Sequence, residues 1–83
     1  MTIEDGKAAR LTRPVYLIPD FVREALVKHQ LVDAYRARPP YQQNDYIGWI
    51  IHAKREKTQL RRLQQMINEL KDGTRYMKMK WRK

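Results

Sequence analysis

Neither cysteine nor serine occurs anywhere in the 83 residues. Without cysteine there is no disulfide, no thiolate metal site and no cysteine nucleophile, and a reducing compartment is the natural fit. Without serine there is no serine hydrolase, and no phosphate loop that relies on a serine hydroxyl. Histidine is scarce too: His29 and His52 are the only two, so a zinc site is not expected. Acidic residues number nine against eighteen Lys and Arg, for a net charge of +9. The apolar runs, such as Ile50-Ile51, are far shorter than the about 20 residues needed to cross a bilayer. The opening Met1-Thr2-Ile3-Glu4-Asp5 is acidic where a secretory leader would be basic. The expectation is a cytoplasmic protein with no integral membrane segment.

What is present fits a small helical domain. A chain of this size buries only about 60% of its unfolded surface, so the core is modest. Residues 1–18 read as a flexible or extended lead-in, with Val15-Tyr16-Leu17-Ile18 as a strand or an extended segment packed on the core. Residues 19–73 read as the folded unit, and 74–83 as a basic, aromatic tail. Helix 1 is expected from Pro19, a residue suited to the first helical position, with Phe21, Val22, Ala25 and Leu26 as its buried stripe. Helix 2 spans about Gln30 to Ala37 and must stop before Pro39. Helix 3 spans about Gln42 to Ala53, with Tyr46, Ile47, Ile50 and Ala53 on one face, Trp49 and Ile51 beside it, and Asp45, Gly48 and His52 opposite. Helix 4 runs from Lys57 or Thr58 to Lys71. Thr58 is its expected N-cap, Leu60, Leu63, Ile67 and Leu70 its stripe, and Gly73 its left-handed terminator.

The fold class is therefore all-α: a bundle of three to four short helices, with helices 3 and 4 as an antiparallel hairpin. The expected core is Phe21, Leu26, Leu31, Tyr35, Tyr46, Ile47, Ile50, Ala53, Leu63, Ile67 and Leu70. From Tyr76 the tail alternates apolar and basic residues, a period of two that suits a strand or extended strip. It either pairs with residues 14–18 or frays.

Charge is uneven. Residues 1–53 hold seven Lys and Arg against six Asp and Glu, whereas residues 54–83 hold eleven against three. Lys54, Arg55, Lys57, Arg61 and Arg62 cluster where helix 3 turns into helix 4, a corner suited to a phosphate or carboxylate. Arg61 points away from the apolar stripe and reads as anion-facing. Arg62 sits on its flank and reads as structural, with Asp45 a candidate partner. The tail adds Arg75, Lys78, Lys80, Arg82 and Lys83, interleaved with Tyr76 and Trp81. That is the composition of a strip whose cations neutralise phosphates while aromatics stack on bases. The same cations also suit a solvated face with no specific ligand. Tyr46 and Trp49 fit either a core or an aromatic ligand wall. No carboxylate pair suits acid–base work, and Asp45 lies about 10 Å from His52 along the helix axis, beyond direct proton transfer. No catalytic residue, cofactor or metal is expected.

One pattern goes further. Pro19, Phe21, Tyr35, Pro39, Pro40, Tyr46, Trp49, Ile50, Ala53, Lys54, Thr58, Arg61, Arg62 and Leu70 stand at the spacing of a proline-started helix, an aromatic before a double proline, Tyr-x-x-Trp-Ile-x-x-Ala-Lys, and Thr-x-x-Arg-Arg. In this the stretch from Pro19 to Gly73 resembles the C-terminal helical region of the YdeI/OmpD-associated, or bacteriocin-protection, family. It departs from the pattern at Tyr41, where a capping serine is usual, and at Gln59, where an arginine often stands. The resemblance implies a non-enzymatic interaction module connected with envelope stress or bacteriocin tolerance, and it implies no reaction or ligand. Pro39, Pro40, Tyr46, Trp49, Ile50, Ala53 and Thr58 are then structural. The alternative is a nucleic-acid-binding protein that uses the basic last helix and tail. The partner, a protein or a nucleic acid, and the oligomeric state stay open.

Overall fold

The computed structural model describes residues 15–80. Four helices follow one another: α1 (Asp20–Lys28), α2 (Val32–Ala37), α3 (Pro40–Ile51) and α4 (Glu56–Asp72). A two-stranded hairpin, β1 (Arg75–Tyr76) and β2 (Met79–Lys80), completes the chain.

Helix α1 starts where Pro19 holds an extended backbone, with Asp20 at the positive end of the dipole and Lys28 at the negative end. Val22 and Leu26, one turn apart, are buried. The helix ends in a Schellman motif. Gln30 takes the left-handed conformation (φ 58°), its N–H donates to the Val27 carbonyl (3.0 Å), and the Leu31 N–H donates to that of Leu26 (2.8 Å). Leu26 and Leu31 are both buried, the apolar contact that accompanies this motif. Gln30 thus terminates α1 instead of opening α2, which begins two residues later than its apolar spacing suggests.

Pro39 and Pro40 separate α2 from α3. Pro40 occupies the first turn of α3, where its missing N–H costs nothing. The helix thereby opens two residues ahead of the expected Gln42, and it has no side-chain cap. The Gln43 side-chain amide reaches back and donates to the carbonyls of Arg38 (2.8 Å) and Arg36 (3.3 Å) at the end of α2. Trp49 on α3 meets Arg62 on α4, and Tyr46 meets Glu69, so the two helices run antiparallel.

The N-cap of α4 is Arg55, not Thr58. Starting the helix at Glu56 places a carboxylate at the positive dipole end and adds a backbone bond from Gln59 to Arg55 (3.0 Å). These gains outweigh the capping preference of threonine. Gly73, at φ 81°, ends the helix as its position indicates.

Val22, Leu26, Leu31, Tyr35, Tyr46, Ile47, Ile50, Leu63, Met66, Ile67 and Leu70 form the apolar core, and Ala53 is buried beside it. Phe21 is only half-buried and packs at its edge. It sits one residue off the Val22–Leu26 line, so Val22 takes the central place. Leu60, expected on the inner stripe of α4, is about half exposed. Residues 15–19 form neither helix nor strand. Tyr16 and Ile18 turn toward the core while Val15 and Leu17 are exposed. Tyr16 covers Gly48. A Cβ on Gly48 would lie 2.5 Å from Cε2 of Tyr16, so the glycine admits an aromatic ring and is itself buried where the helical wheel places it outward. No described helix is long and apolar enough to cross a membrane.

Candidate functional site

Two polar regions stand out, and they occupy opposite sides of α4. The inner one centres on Glu69, a carboxylate at a buried position. Its Oε1 accepts from the Tyr46 hydroxyl and from the Met77 N–H (2.9 Å). Its Oε2 accepts from the Lys78 N–H (2.8 Å) and the Gln65 amide (3.1 Å). Met77 and Lys78 both have positive φ, 51° and 67°, the signature of a type I′ hairpin turn. Neither is glycine, so each left-handed residue costs about 1–2 kcal/mol. The turn aims two successive N–H groups at one anion, and Glu69 supplies that anion. The alternating tail therefore does form strands, but it pairs with itself, Arg75 opposite Lys80 and Tyr76 opposite Met79, rather than with residues 14–18.

Arg38 and Gln42 extend this region. Arg38 is buried and donates to the Gln42 side chain (3.2 Å) and to the Glu69 backbone carbonyl (3.0 Å). Tyr76 lies edge-on to Tyr41 and Tyr46, and its hydroxyl donates to Asp45 (2.7 Å). Burial raises the Tyr46 hydroxyl far above the ordinary tyrosine range, and the Glu69 carboxylate raises it further. Burial alone pushes Tyr35 up to about 12. Both side chains are neutral hydrogen-bonding groups near neutral pH. At the end of α4, the hydroxyl and N–H of Thr74 hold the Asp72 carboxyl below its usual range.

The outer region is cationic. Lys54, Arg55, Lys57 and Arg61 are exposed, as are Arg75, Lys78 and Lys80 on the hairpin. Trp81 and Arg82 lie outside the described residues. Arg62 is half-buried and does not meet Asp45. Its Nη1 donates to the Trp49 carbonyl (2.6 Å), and its guanidinium lies 5.2 Å from the centre of the Trp49 ring. That carbonyl belongs to the last turn of α3, where helical partners run out. Asp45 instead takes Tyr76, which is held by packing and is not presented for stacking. Tyr46, Ile50 and Ala53 are buried, Trp49, Pro39 and Thr58 are half-buried, and Pro40 is exposed. His52 is exposed and meets the Tyr16 ring edge to face, with 5.3 Å between centroids.

Beside the basic corner runs an open groove of about 400 Å³, with Phe21 and Leu60 on its walls and Lys54, Glu56 and Gln59 at its rim. The Gln59 side chain donates to the Ala53 carbonyl (3.0 Å) and braces the turn between α3 and α4. Among the described residues, no three His, Cys, Asp or Glu side chains come together as metal ligands.

The motif residues did not lead to Glu69, Gln42 or Arg38. Glu69 had one readable signal: it follows Met66 by three and precedes Leu70, on the inner half of the wheel. The amides Gln64 and Asn68 and the cation Lys71 are exposed and share the outer face with Lys57 and Arg61.

Residues 16–73 match the family model described as bacteriocin-protection, YdeI or OmpD-associated. The match begins at Tyr16, the residue that covers Gly48. No curated protein and no solved structure matches at a significant level.

Proposed function

The chain belongs to the bacteriocin-protection, YdeI- or OmpD-associated family, and from that premise we propose that it is a small, non-enzymatic interaction module of the cytoplasm that acts in bacteriocin tolerance or envelope stress. Its partner is an acidic protein segment that also carries apolar side chains.

One observation carries this reading. The groove beside the basic corner joins an apolar wall, Phe21 and Leu60, to a rim of Lys54, Glu56 and Gln59, and the exposed Arg55 and Lys57 next to it leave the surrounding charge net positive. An apolar strip bordered by positive charge suits an acidic, amphipathic segment, whose apolar residues fill the groove while its carboxylates meet the rim. By contrast, the reactive groups Glu69, Tyr46 and Arg38 are engaged in holding α3, α4 and the hairpin together.

The test is complementation. In bacteria deleted for this gene and challenged with a bacteriocin, the intact chain is expected to restore tolerance. A Lys54→Glu/Arg55→Glu variant of unchanged helicity is expected to fail. Full tolerance with that variant, or no change on deletion under either bacteriocin or envelope stress, rejects the reading.

A further inference from the structure

The solvent face of α4 holds Lys57, Arg61, Gln64, Asn68 and Lys71, every one of them exposed. These positions fall within one stripe of the helix about 80° wide, at about 100° per residue. No carboxylate lies on it: Glu56 and Asp72 fall to either side, and Glu69 faces inward. The stripe has an internal order. Lys57 and Arg61 stand toward one end and Lys71 at the other, about 21 Å from Lys57 along the axis. Between them lie the two amides, and Gln64 donates to Asn68 (3.0 Å).

We propose that this face of α4 is a binding surface for B-form double-stranded DNA, entering the major groove with its amides toward the base edges and its terminal cations on the phosphates of the two flanking strands. The major groove is wide enough to admit an α-helix. Lys and Arg supply the salt-dependent attraction to phosphate, while Gln and Asn are the side chains whose amides pair with adenine in that groove. Tyr76 is committed to Tyr41, Tyr46 and Asp45, so base stacking on that residue is replaced by groove contact through the helix.

The assignment rests on the reading of the chain as a binding module and deepens it by naming a second partner and the face that takes it. A labelled 20-base-pair DNA duplex, titrated with the full chain by fluorescence anisotropy from about 50 mM salt upward, tests it. Binding is expected, with log affinity falling linearly in log salt. A Lys57→Gln/Arg61→Gln/Lys71→Gln variant should flatten that slope by about 2.7, from 0.9 per phosphate contact. An Arg23→Gln/Lys28→Gln variant on α1 should leave the slope unchanged. Gln64→Ala/Asn68→Ala should keep the slope and abolish the adenine-containing preference that selection from a random duplex pool is expected to return. An A-form RNA duplex, whose major groove excludes side chains, should bind more weakly.

Absence of DNA binding at 50 mM salt overturns the assignment. So do equal slopes for the two cation variants, equal affinity for the RNA duplex, a selection without adenine preference, or binding only to anionic lipid vesicles. If DNA fails to bind while Lys54→Glu/Arg55→Glu still abolishes tolerance, the interaction-module reading survives and this assignment alone falls.

Discussion

The two sides of α4 treat charge in opposite ways. On the inner side a single carboxylate, Glu69, is withdrawn from water and receives four donors: the Tyr46 hydroxyl, the Gln65 amide and two backbone N–H groups. On the outer side Lys57, Arg61 and Lys71 remain in water. A buried charge is tolerable only when its hydrogen-bonding capacity is met. An exposed charge is stable without a partner, so its placement places few demands on the fold. The inner side is therefore where substitution should unfold the molecule, and the outer side where it should change what the molecule binds.

The largest effect is expected at Glu69. Glu69→Ala leaves the two turn N–H groups and the Tyr46 hydroxyl without their acceptor, at about 3 kcal/mol. Urea unfolding should register the loss, and hydrogen exchange should show the Met77 and Lys78 amides deprotected ahead of the helices. A cost near zero would mean that the hairpin is not held by this carboxylate.

Alkaline pH comes next. Tyr35, at about 12, and Tyr46 above it have raised values in the fold against about 10 when unfolded. The folded state keeps these protons longer than the unfolded state does. Their contribution is thus complete below pH 10 and is lost as pH rises through the folded values. A loss of stability between pH 10 and 12 is expected in urea unfolding, and Tyr35→Phe should reduce it. An identical pH dependence in the variant would contradict the burial argument.

A smaller effect is expected at Gly48. Gly48→Ala gains about 1 kcal/mol of helix propensity but places a methyl group where the Tyr16 ring lies. The ring is the far end of a side chain and swings away, so net stability should change by less than about 1 kcal/mol. The His52–Tyr16 contact should disappear from the NMR spectrum. Persistence of that contact would show that the ring has room beside Ala.

The smallest stability effect belongs to the outer face. Lys57→Gln/Arg61→Gln/Lys71→Gln should alter unfolding by no more than about 0.5 kcal/mol per site, although it strongly affects DNA binding. A large destabilisation would erase the contrast between the two sides.

The apolar framework was legible in the chain because helical spacing reports one face at a time. Leu63, Ile67 and Leu70 repeat at three and four, and Tyr46, Ile50 and Ala53 do likewise, so the pairing of α3 with α4 follows from local pattern. The basic corner was legible for the same reason: exposed charges cluster in sequence. Thr58 is not the N-cap because capping preference is weak beside one more helical turn. Gly48 reads either as a site of close approach or as a surface glycine, because the wheel does not reveal that Tyr16, far away in sequence, lies across it. Arg62 went to a backbone carbonyl rather than to Asp45, a choice that depends on where α3 runs out of helical partners.

Sequence alone thus determined the helical class, the break at the double proline, the glycine end of α4, the apolar seam and the excess of cations in residues 54–83, because each depends on neighbours a few positions away. Tertiary structure decided which polar groups are buried together and where the tail folds back. Those outcomes depend on Glu69, Tyr46 and the Met77–Lys78 turn arriving at one point from segments up to about thirty positions apart, and no local pattern encodes that meeting.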